Sequence, residues 1–207
     1  MRQRPSIVYF VVAALSWPIL RGPYRLRAEG VENLPPDGGY VLSANHMSNF
    51  DPWPLGIPLF PGRFLRFMAK SELFWPPLGW LVAGGGGFKV RRGERDLEAI
   101  EVAERLAREG HVVVMFPEGT RRAKGMRKKY VARAHTGAAR IALAAGVPLV
   151  PAAISGTDRL LRLERLRVAY GAPVDIDDLR DKPVSDAAQE ATDRLMTAIH
   201  ALEETIE

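Results

Sequence analysis

Short apolar runs alternate with amphipathic stretches along the chain, and this alternation predicts its secondary structure. Runs of four to six residues that are rich in aliphatic and aromatic side chains and bounded by turn residues are typical of buried strands. Seven segments fit this description, namely Tyr24–Ala28, Tyr40–Ala44, Phe64–Ala69, Phe88–Arg91, Val112–Phe116, Leu149–Ile154 and Leu166–Tyr170.

Helical patterns lie between several of these runs. Asp96–Arg108 places its apolar residues on one face and is followed by Gly110, a residue type that commonly ends a helix. A second helix is predicted at Ala134–Ala145, closed by Gly146, and a third at about Ser185–Glu204, with its first residue as the N-cap. Strands interleaved with helices favour an α/β fold. We therefore expect a single domain in which helices flank a mostly parallel mixed β-sheet, and the length of 207 residues fits this.

Near its N-terminus the chain carries 14 consecutive uncharged residues, Ile7–Leu20, with Arg residues on both sides. A membrane-spanning helix needs about 20 apolar residues, so this short hydrophobic helix cannot span a bilayer. Pro18 should end it at about Trp17. Flanking Arg residues favour an interfacial membrane anchor over an ordinary buried helix. We therefore expect a membrane-associating segment at residues 1–22 and a folded domain at residues 23–207.

Composition and charge narrow the possible chemistry. The residues are 47% hydrophobic and 26% charged, which is a globular composition, and none is Cys, which excludes disulfides, thiolate nucleophiles and Cys-ligated zinc. The net charge is +5, and residues 1–27 hold five Arg and no acid, while residues 118–140 hold eight basic residues and one acid. A basic surface favours an anionic partner, such as nucleic acid, a phosphorylated ligand or an anionic membrane.

Asn45–Asp51 directly follows a predicted strand, at the end where α/β proteins collect functional residues. His46 and Asp51 are five residues apart, and a tight turn can bring them together. A carboxylate on one imidazole nitrogen fixes the tautomer, so that the other nitrogen can take a proton from a hydroxyl group. Taken alone, the segment also fits a solvated loop His, with Asp51 acting only as the N-cap of a following helix.

A glycine-rich stretch runs into paired arginines at Gly87–Arg92. The planar fork of Arg binds two phosphate oxygens at once, so Arg91 and Arg92 are candidate phosphate ligands. No Gly-Lys-Ser/Thr sequence follows, which excludes a P-loop. A solvated pair of surface arginines is the alternative.

Phe116–Arg122 follows another predicted strand and contains Glu118, the only acid of a strongly basic stretch. Such a Glu can accept a hydrogen bond from a substrate hydroxyl group or hold an Arg side chain in place. Gly119 permits close backbone approach, and Thr120 supplies a hydroxyl group and an amide. As a bare pattern, the segment also fits a turn with a salt bridge.

These three segments and the proline-bracketed strand Val147–Ala152 together resemble the four ordered sequence blocks of the glycerolipid acyltransferases typified by 1-acylglycerol-3-phosphate acyltransferase. The blocks read N-H-x-x-x-x-D, G-x-F-x-V-x-R, F-P-E-G-T-R and V-P-x-x-P, and they span residues 45–152. The resemblance implies transfer of a fatty acyl group from a thioester to a glycerolipid hydroxyl group by an acyltransferase domain.

The resemblance also implies roles for individual residues. His46 is the general base, Asp51 orients it, and the acceptor hydroxyl group, not a protein group, attacks the thioester. A serine nucleophile at Ser48 is disfavoured, because no G-x-S-x-G elbow is present. The acceptor and its phosphate are assigned to Arg91, Arg92, Glu118, Gly119, Thr120 and Arg121, with Lys70, at the end of a predicted strand, as a further phosphate contact.

One position departs from the family pattern. Many relatives have Lys two residues before the Gly of the helix that follows F-P-E-G-T-R, and here that position is His135, before Gly137. The charge at this position therefore depends on pH.

The resemblance implies partners as well. The acyl donor is expected to be acyl-CoA or acyl carrier protein as a thioester co-substrate, and the acceptor a lysophospholipid, here lysophosphatidic acid, which gives phosphatidic acid. No cofactor, metal ion or nucleic acid is expected. The basic N-terminal segment indicates an anionic membrane surface, with monotopic or peripheral attachment at the cytoplasmic face of the cell membrane. A second uncharged run, Leu73–Phe88, either lines an acyl-chain tunnel or touches the bilayer, or else is core followed by a flexible loop.

Three alternatives stay open at this point. The same chemistry on a glycolipid, glycerol 3-phosphate or another lysophospholipid fits the motifs equally well. A thioesterase or other hydrolase would use the same His–Asp pair on water. A non-catalytic basic module that binds membrane or nucleic acid fits the charge pattern, but it leaves Asn45–Asp51 and Phe116–Arg121 unexplained.

Overall fold

The computed structural model describes residues 6–90, 97–119 and 134–206. In these residues seven strands form a single sheet: β1 Arg27–Glu29, β2 Tyr40–Ala44, β3 Leu65–Lys70, β4 Gly87–Val90, β5 Val112–Met115, β6 Leu149–Ser155 and β7 Arg167–Tyr170. The same residues form six α-helices: α1 Ile7–Arg21, α2 Pro52–Gly56, α3 Leu78–Gly84, α4 Leu97–Arg108, α5 Gly137–Ala145 and α6 Val184–Ile206.

The sheet has the strand order β1–β7–β6–β2–β5–β3–β4. Strand β2 pairs in parallel with β5 and β6, and β3 pairs in parallel with β5 and β4. Strand β7 is antiparallel to β6, and β1 is parallel to β7. The expected mostly parallel mixed sheet is therefore confirmed. Since β2 to β6 run in one direction, their carboxyl ends meet at one edge of the sheet, which we call the carboxyl edge.

Apolar layers cover both faces of the central strands. All five residues of β2 are buried. Val41 packs with residues of α4, α5 and α6, whereas Tyr40, Leu42 and Ala44 face the other way and pack with residues of α2 and β7. Burial on both faces is typical of a parallel sheet and explains why its strands are continuous apolar runs. The strand that leads to His46 is thus held firmly on both sides.

The N-terminal helix continues past Pro18, so the predicted end at about Trp17 is wrong. α1 runs to Arg21, and the amide of Gly22 donates to Pro18 O at 2.9 Å. Proline removes one hydrogen bond near the helix end, and burial of Leu20 against the core holds the last turn in place. α1 has 15 residues, and no helix in the described part of the chain is long and apolar enough to cross a bilayer.

The start of α6 also differs from the prediction. The helix begins at Val184, so Ser185 lies in its first turn and is not the N-cap. The carbonyl of Pro183 accepts hydrogen bonds from the amides of Asp186 and Ala187, which starts the helix one residue earlier. The Ser185 hydroxyl group instead donates to the Asp186 carboxylate at 3.1 Å.

Two further elements start later than predicted because their first residues bond elsewhere. α5 begins at Gly137 rather than Ala134, since the amide of His135 donates to Pro117 O at 2.8 Å. β1 begins at Arg27, because the residues before it hydrogen-bond to the last turn of α1. Tertiary contacts, not local propensity, set both boundaries.

Tyr170 and Tyr40 are two buried tyrosines that differ in whether the hydroxyl group is hydrogen-bonded. Burial raises the pKa of Tyr40 to about 12 and that of Tyr170 well above its usual value, so both hydroxyl groups stay protonated. Tyr170 donates to Leu55 O at 2.7 Å, whereas the Tyr40 hydroxyl group has no partner among the described residues.

We expect Tyr170→Phe to lower the free energy of unfolding by about 1–3 kcal/mol, because it leaves the buried Leu55 carbonyl unpaired. Tyr40→Phe, which removes a hydroxyl group without a described partner, should leave this free energy unchanged or raise it. Urea unfolding of the two variants measures the difference, and equal losses in both would contradict the assignment.

Candidate active site

Asn45 fixes the first residue beyond strand β2. Its side-chain amide donates to Ile154 O at 2.9 Å, and its side-chain oxygen accepts from Ile154 N at 2.8 Å. These two hydrogen bonds continue the pairing of β2 with β6 beyond the last backbone pair, Ala44 and Ala152. The next residue, His46, therefore leaves the carboxyl edge from a fixed position.

His46 and Asp51 form a buried pair. His46 Nδ1 lies 2.8 Å from Asp51 Oδ2, and the amides of Met47 and Ser48 donate to the same oxygen at 2.8 and 2.9 Å. The other oxygen, Oδ1, accepts from the Thr157 hydroxyl group at 2.5 Å. Asp51 is 0% exposed, and a carboxylate is tolerated at such a position only when its oxygens are hydrogen-bonded.

This arrangement determines the tautomer of His46. A carboxylate oxygen only accepts hydrogen bonds, so Nδ1 of His46 carries the proton and donates it to Asp51 Oδ2. The lone pair of the neutral ring then lies on Nε2, which is able to accept a proton from a hydroxyl group. Asp51 directly precedes α2, but its side chain makes no capping hydrogen bond to that helix.

The loop that follows β5 packs against the same imidazole. The ring of Phe116 stacks on that of His46, with centroids 4.2 Å apart and planes inclined by 19°. Gly119 has φ +69, and a Cβ atom there would lie only 2.3 Å from Cδ2 of His135. Glycine is therefore required at this position by both its conformation and its neighbour. His135, which precedes α5, thus packs directly on the Phe116–Gly119 loop.

Three of the other expected site residues lie at the carboxyl edge. Glu118 and Gly119 are in the loop after β5 and are partly buried. Lys70 is the last residue of β3, exposed and two strands away from β2. The remaining four, Arg91, Arg92, Thr120 and Arg121, lie outside the described residues.

A cavity of about 410 Å³ adjoins the loop that carries the pair. Its described lining contains no charged residue and comes from α1, from the 49–57 segment, from the start of β3 and from α3. Asn49 and Phe50 reach it from the His46–Asp51 loop, and Tyr9 and Ala13 reach it from α1. Burial raises the pKa of the Tyr9 phenol, which keeps this wall uncharged.

The second uncharged run, Leu73–Phe88, lies partly at this cavity and partly at the protein surface. Leu81 and Val82 of α3 line the cavity, while Trp75 and Trp80 are exposed at the surface. The run is therefore neither simple core nor simple surface.

The sequence did not single out three residues that complete the site. Thr157 bonds Asp51, the Asn45 side chain bonds β6, and Phe116 stacks on His46. The available signal for Thr157 was its position directly after Gly156, three residues beyond the end of a predicted strand, at the edge where functional residues collect. In the described residues, no three His, Asp or Glu side chains are grouped as metal ligands would be.

The sequence is similar to those of known proteins. The family model described as Acyltransferase matches residues 25–155. The chain is 30% identical over 182 residues to a 1-acyl-sn-glycerol-3-phosphate acyltransferase of Bacillus subtilis (strain 168), across 85% of this chain and 87% of that protein. It is 29% identical over 199 residues to a 1-acyl-sn-glycerol-3-phosphate acyltransferase of Streptococcus pneumoniae, across 94% of this chain and 71% of that protein.

The fold is also that of a solved structure. The 1-acyl-sn-glycerophosphate (LPA) acyltransferase PlsC from Thermotoga maritima superposes with a TM-score of 0.67 at 24% sequence identity, over 93% of this chain and 77% of that one. The sequence matches and the shared architecture lead to one assignment. This chain belongs to the acyltransferase family that includes the 1-acyl-sn-glycerol-3-phosphate acyltransferases.

Proposed function

We propose that the protein transfers a fatty acyl group from acyl-CoA or an acyl carrier protein thioester to the free hydroxyl group of lysophosphatidic acid, which gives phosphatidic acid. The observation that carries this proposal is the buried His46–Asp51 pair in a chain of the acyltransferase family. The relatives named 1-acyl-sn-glycerol-3-phosphate acyltransferase support the choice of acceptor.

In this mechanism Nε2 of His46 takes the proton of the acceptor hydroxyl group as its oxygen attacks the thioester carbonyl carbon. The tetrahedral intermediate then collapses, the carbon–sulfur bond breaks, and the imidazolium returns the proton to the departing sulfur as a free thiol. Asp51 stabilises the transient imidazolium through Nδ1. The acceptor hydroxyl oxygen attacks the thioester directly, so this mechanism uses no nucleophile at Ser48.

The acceptor phosphate binds at the carboxyl edge beside this pair. We assign it to basic residues that follow neighbouring parallel strands, Arg91 and Arg92 after β4 and Arg121 after β5, together with Lys70 at the end of β3. Guanidinium groups bind two phosphate oxygens at once, which suits a dianionic acceptor. Glu118, Gly119 and Thr120 complete the acceptor site.

The acyl chain of the donor occupies the apolar cavity. Asn49 and Phe50 of the His46–Asp51 loop line the cavity, and its uncharged lining matches a hydrocarbon chain. α1 forms one wall, so the N-terminal helix takes part in substrate binding as well as in membrane attachment.

Membrane attachment uses the outward side of α1. Its buried residues Ala13, Ser16 and Leu20 face the core, while the exposed apolar residues are Ile7, Val8, Phe10, Val11, Leu15, Trp17 and Ile19. Arg21 stacks over Trp17 at 4.6 Å, a combination suited to the lipid headgroup region. We propose that residues 1–22 hold the acyltransferase domain, residues 23–207, on the anionic cytoplasmic face of the cell membrane in a monotopic or peripheral manner.

Replacing the base should abolish transfer while keeping the fold. In His46→Asn the side-chain amide can still donate to Asp51, but no group remains to take the proton. We expect thiol release in the presence of lysophosphatidic acid to fall by about 10²–10⁴-fold, with an unchanged thermal unfolding midpoint. His200→Asn, on α6, is the matched control and should retain full activity.

The same assay separates the alternatives. Thiol release by the wild-type protein without any acceptor would identify a hydrolase instead of a transferase. If thiol release were faster with a glycolipid, glycerol 3-phosphate or another lysophospholipid than with lysophosphatidic acid, that compound would be the acceptor instead. If His46→Asn were as active as the wild type, His46 would not be the general base.

Filling the cavity should change the preferred acyl chain. Ala13→Leu adds three carbon atoms to the cavity wall, so we expect kcat/KM for a long-chain thioester to fall by roughly tenfold relative to a short-chain thioester. Ala14→Leu makes the same change on the exposed side of α1 and should leave this ratio unchanged. An unaltered chain-length profile in Ala13→Leu would place the acyl chain elsewhere.

A further inference from the structure

A second exposed apolar element lies at the carboxyl edge, in the connection between β6 and β7. We call residues 156–166 the β6–β7 loop. Leu161 is 102% exposed and Leu163 is 49% exposed, the latter with φ +52 in the left-handed region. A single exposed leucine is ordinary in a folded protein. Here one loop exposes two leucines, and one of them has a backbone conformation that leucine rarely adopts. Neither side chain packs into an apolar core cluster of the described residues.

The backbone places this loop beside the end of α1. The amide of Leu166 donates to Tyr24 O at 3.0 Å, and the amide of Arg27 donates to Leu166 O at 3.0 Å. Leu160 packs into the same apolar cluster as Leu20 of α1. The loop therefore lies next to the helix whose outward side is apolar.

The charges on this loop fit a negatively charged surface. Arg159 is paired with Asp158 and Glu164, at 3.4 and 3.2 Å. Arg162 and Arg165 are also exposed, and neither has an ion-pair partner among the residues that the structure describes. Arg162 lies between the two exposed leucines and Arg165 follows them, so positive charge without a partner in the described residues occurs together with apolar surface.

We propose that the β6–β7 loop is a second membrane contact, which inserts Leu161 and Leu163 into an anionic bilayer and places Arg162 and Arg165 on lipid phosphate groups. Leucine gains free energy on leaving water, and each Arg near an anionic leaflet adds electrostatic attraction. The inference rests on the proposed function for the lipid nature of the partner and deepens it. Because Thr157 of the same loop bonds Asp51, the contact holds the catalytic pair close to the membrane surface.

Vesicle sedimentation of the full chain tests this proposal with two paired variants. Leu161→Ser/Leu163→Asn should weaken binding to mixed phosphatidylcholine–phosphatidylglycerol vesicles by about tenfold. Arg162→Gln/Arg165→Gln should weaken binding to the same vesicles by about tenfold but leave binding to pure phosphatidylcholine unchanged. Val184→Ser removes another exposed apolar side chain, at the start of α6, and should bind as the wild type does.

If both double variants bound vesicles as tightly as the wild type does, the proposal would be overturned, since α1 alone would then account for attachment. Acyl transfer to lysophosphatidic acid dispersed in detergent provides the separate readout. Both variants should retain it, because neither touches the His46–Asp51 pair. If the proposed acyl transfer itself were wrong, neither the wild type nor the variants would form phosphatidic acid in detergent, while the vesicle results would still decide whether the loop binds lipid.

A different observation, the hydrogen bond to Asp51, concerns Thr157 itself. Thr157 is buried, and its hydroxyl group is the described donor to Oδ1 of Asp51, whereas the donors to Oδ2 come from the His46 loop. We infer that Thr157 is a positioning residue, which connects the end of β6 to the carboxylate and keeps Oδ2 directed at His46.

Thr157→Val keeps the shape of the side chain and removes the donor, while Thr157→Ser keeps the donor. We expect Thr157→Val to lower kcat by about tenfold with little change in KM, since a hydrogen bond to a charged group is lost. Thr157→Ser should restore kcat. A Thr157→Val enzyme with wild-type kcat would overturn the role.

Discussion

The carboxylate of Asp51 is buried without any exposed surface, and the structure around it supplies donors to both of its oxygens. Two backbone amides and His46 donate hydrogen bonds to one oxygen, and the Thr157 hydroxyl group donates to the other. These donors come from two segments separated by more than a hundred residues, so the site forms only when the whole sheet has folded. The same carboxylate fixes the protonated nitrogen of His46 and leaves the other nitrogen available as a base.

Parallel strand direction explains why those segments meet. β2 and β6 pair in register, and the Asn45 side chain continues that pairing past the last strand residue. The loop after β5 then reaches the imidazole through Phe116. The Asn45–Asp51 motif and the motif after β5 are therefore brought together at one edge of one sheet, with the apolar layers on both faces holding the strands in place.

The apolar features that we propose to face lipid adjoin the loop that carries this chemistry. α1 buries Ala13, Ser16 and Leu20 and exposes apolar residues elsewhere, which is the reverse of an ordinary surface helix. The apolar cavity lies between α1 and the loop that ends at Asp51. The cavity that we propose for the donor chain therefore adjoins both the proposed membrane-facing helix and the catalytic loop.

The sequence by itself determined the strand positions, the α/β class and the pairing of His46 with Asp51, because apolar runs, glycine ends and short-range motifs are local signals. Only the tertiary structure decided the continuation of α1 through Pro18, the start of α5 at Gly137 and the roles of Asn45, Phe116 and Thr157. Each of these depends on a partner distant in the chain. Burial of Leu20 outweighs the helix-breaking tendency of proline, and Thr157 finds Asp51 only because β6 lies beside β2.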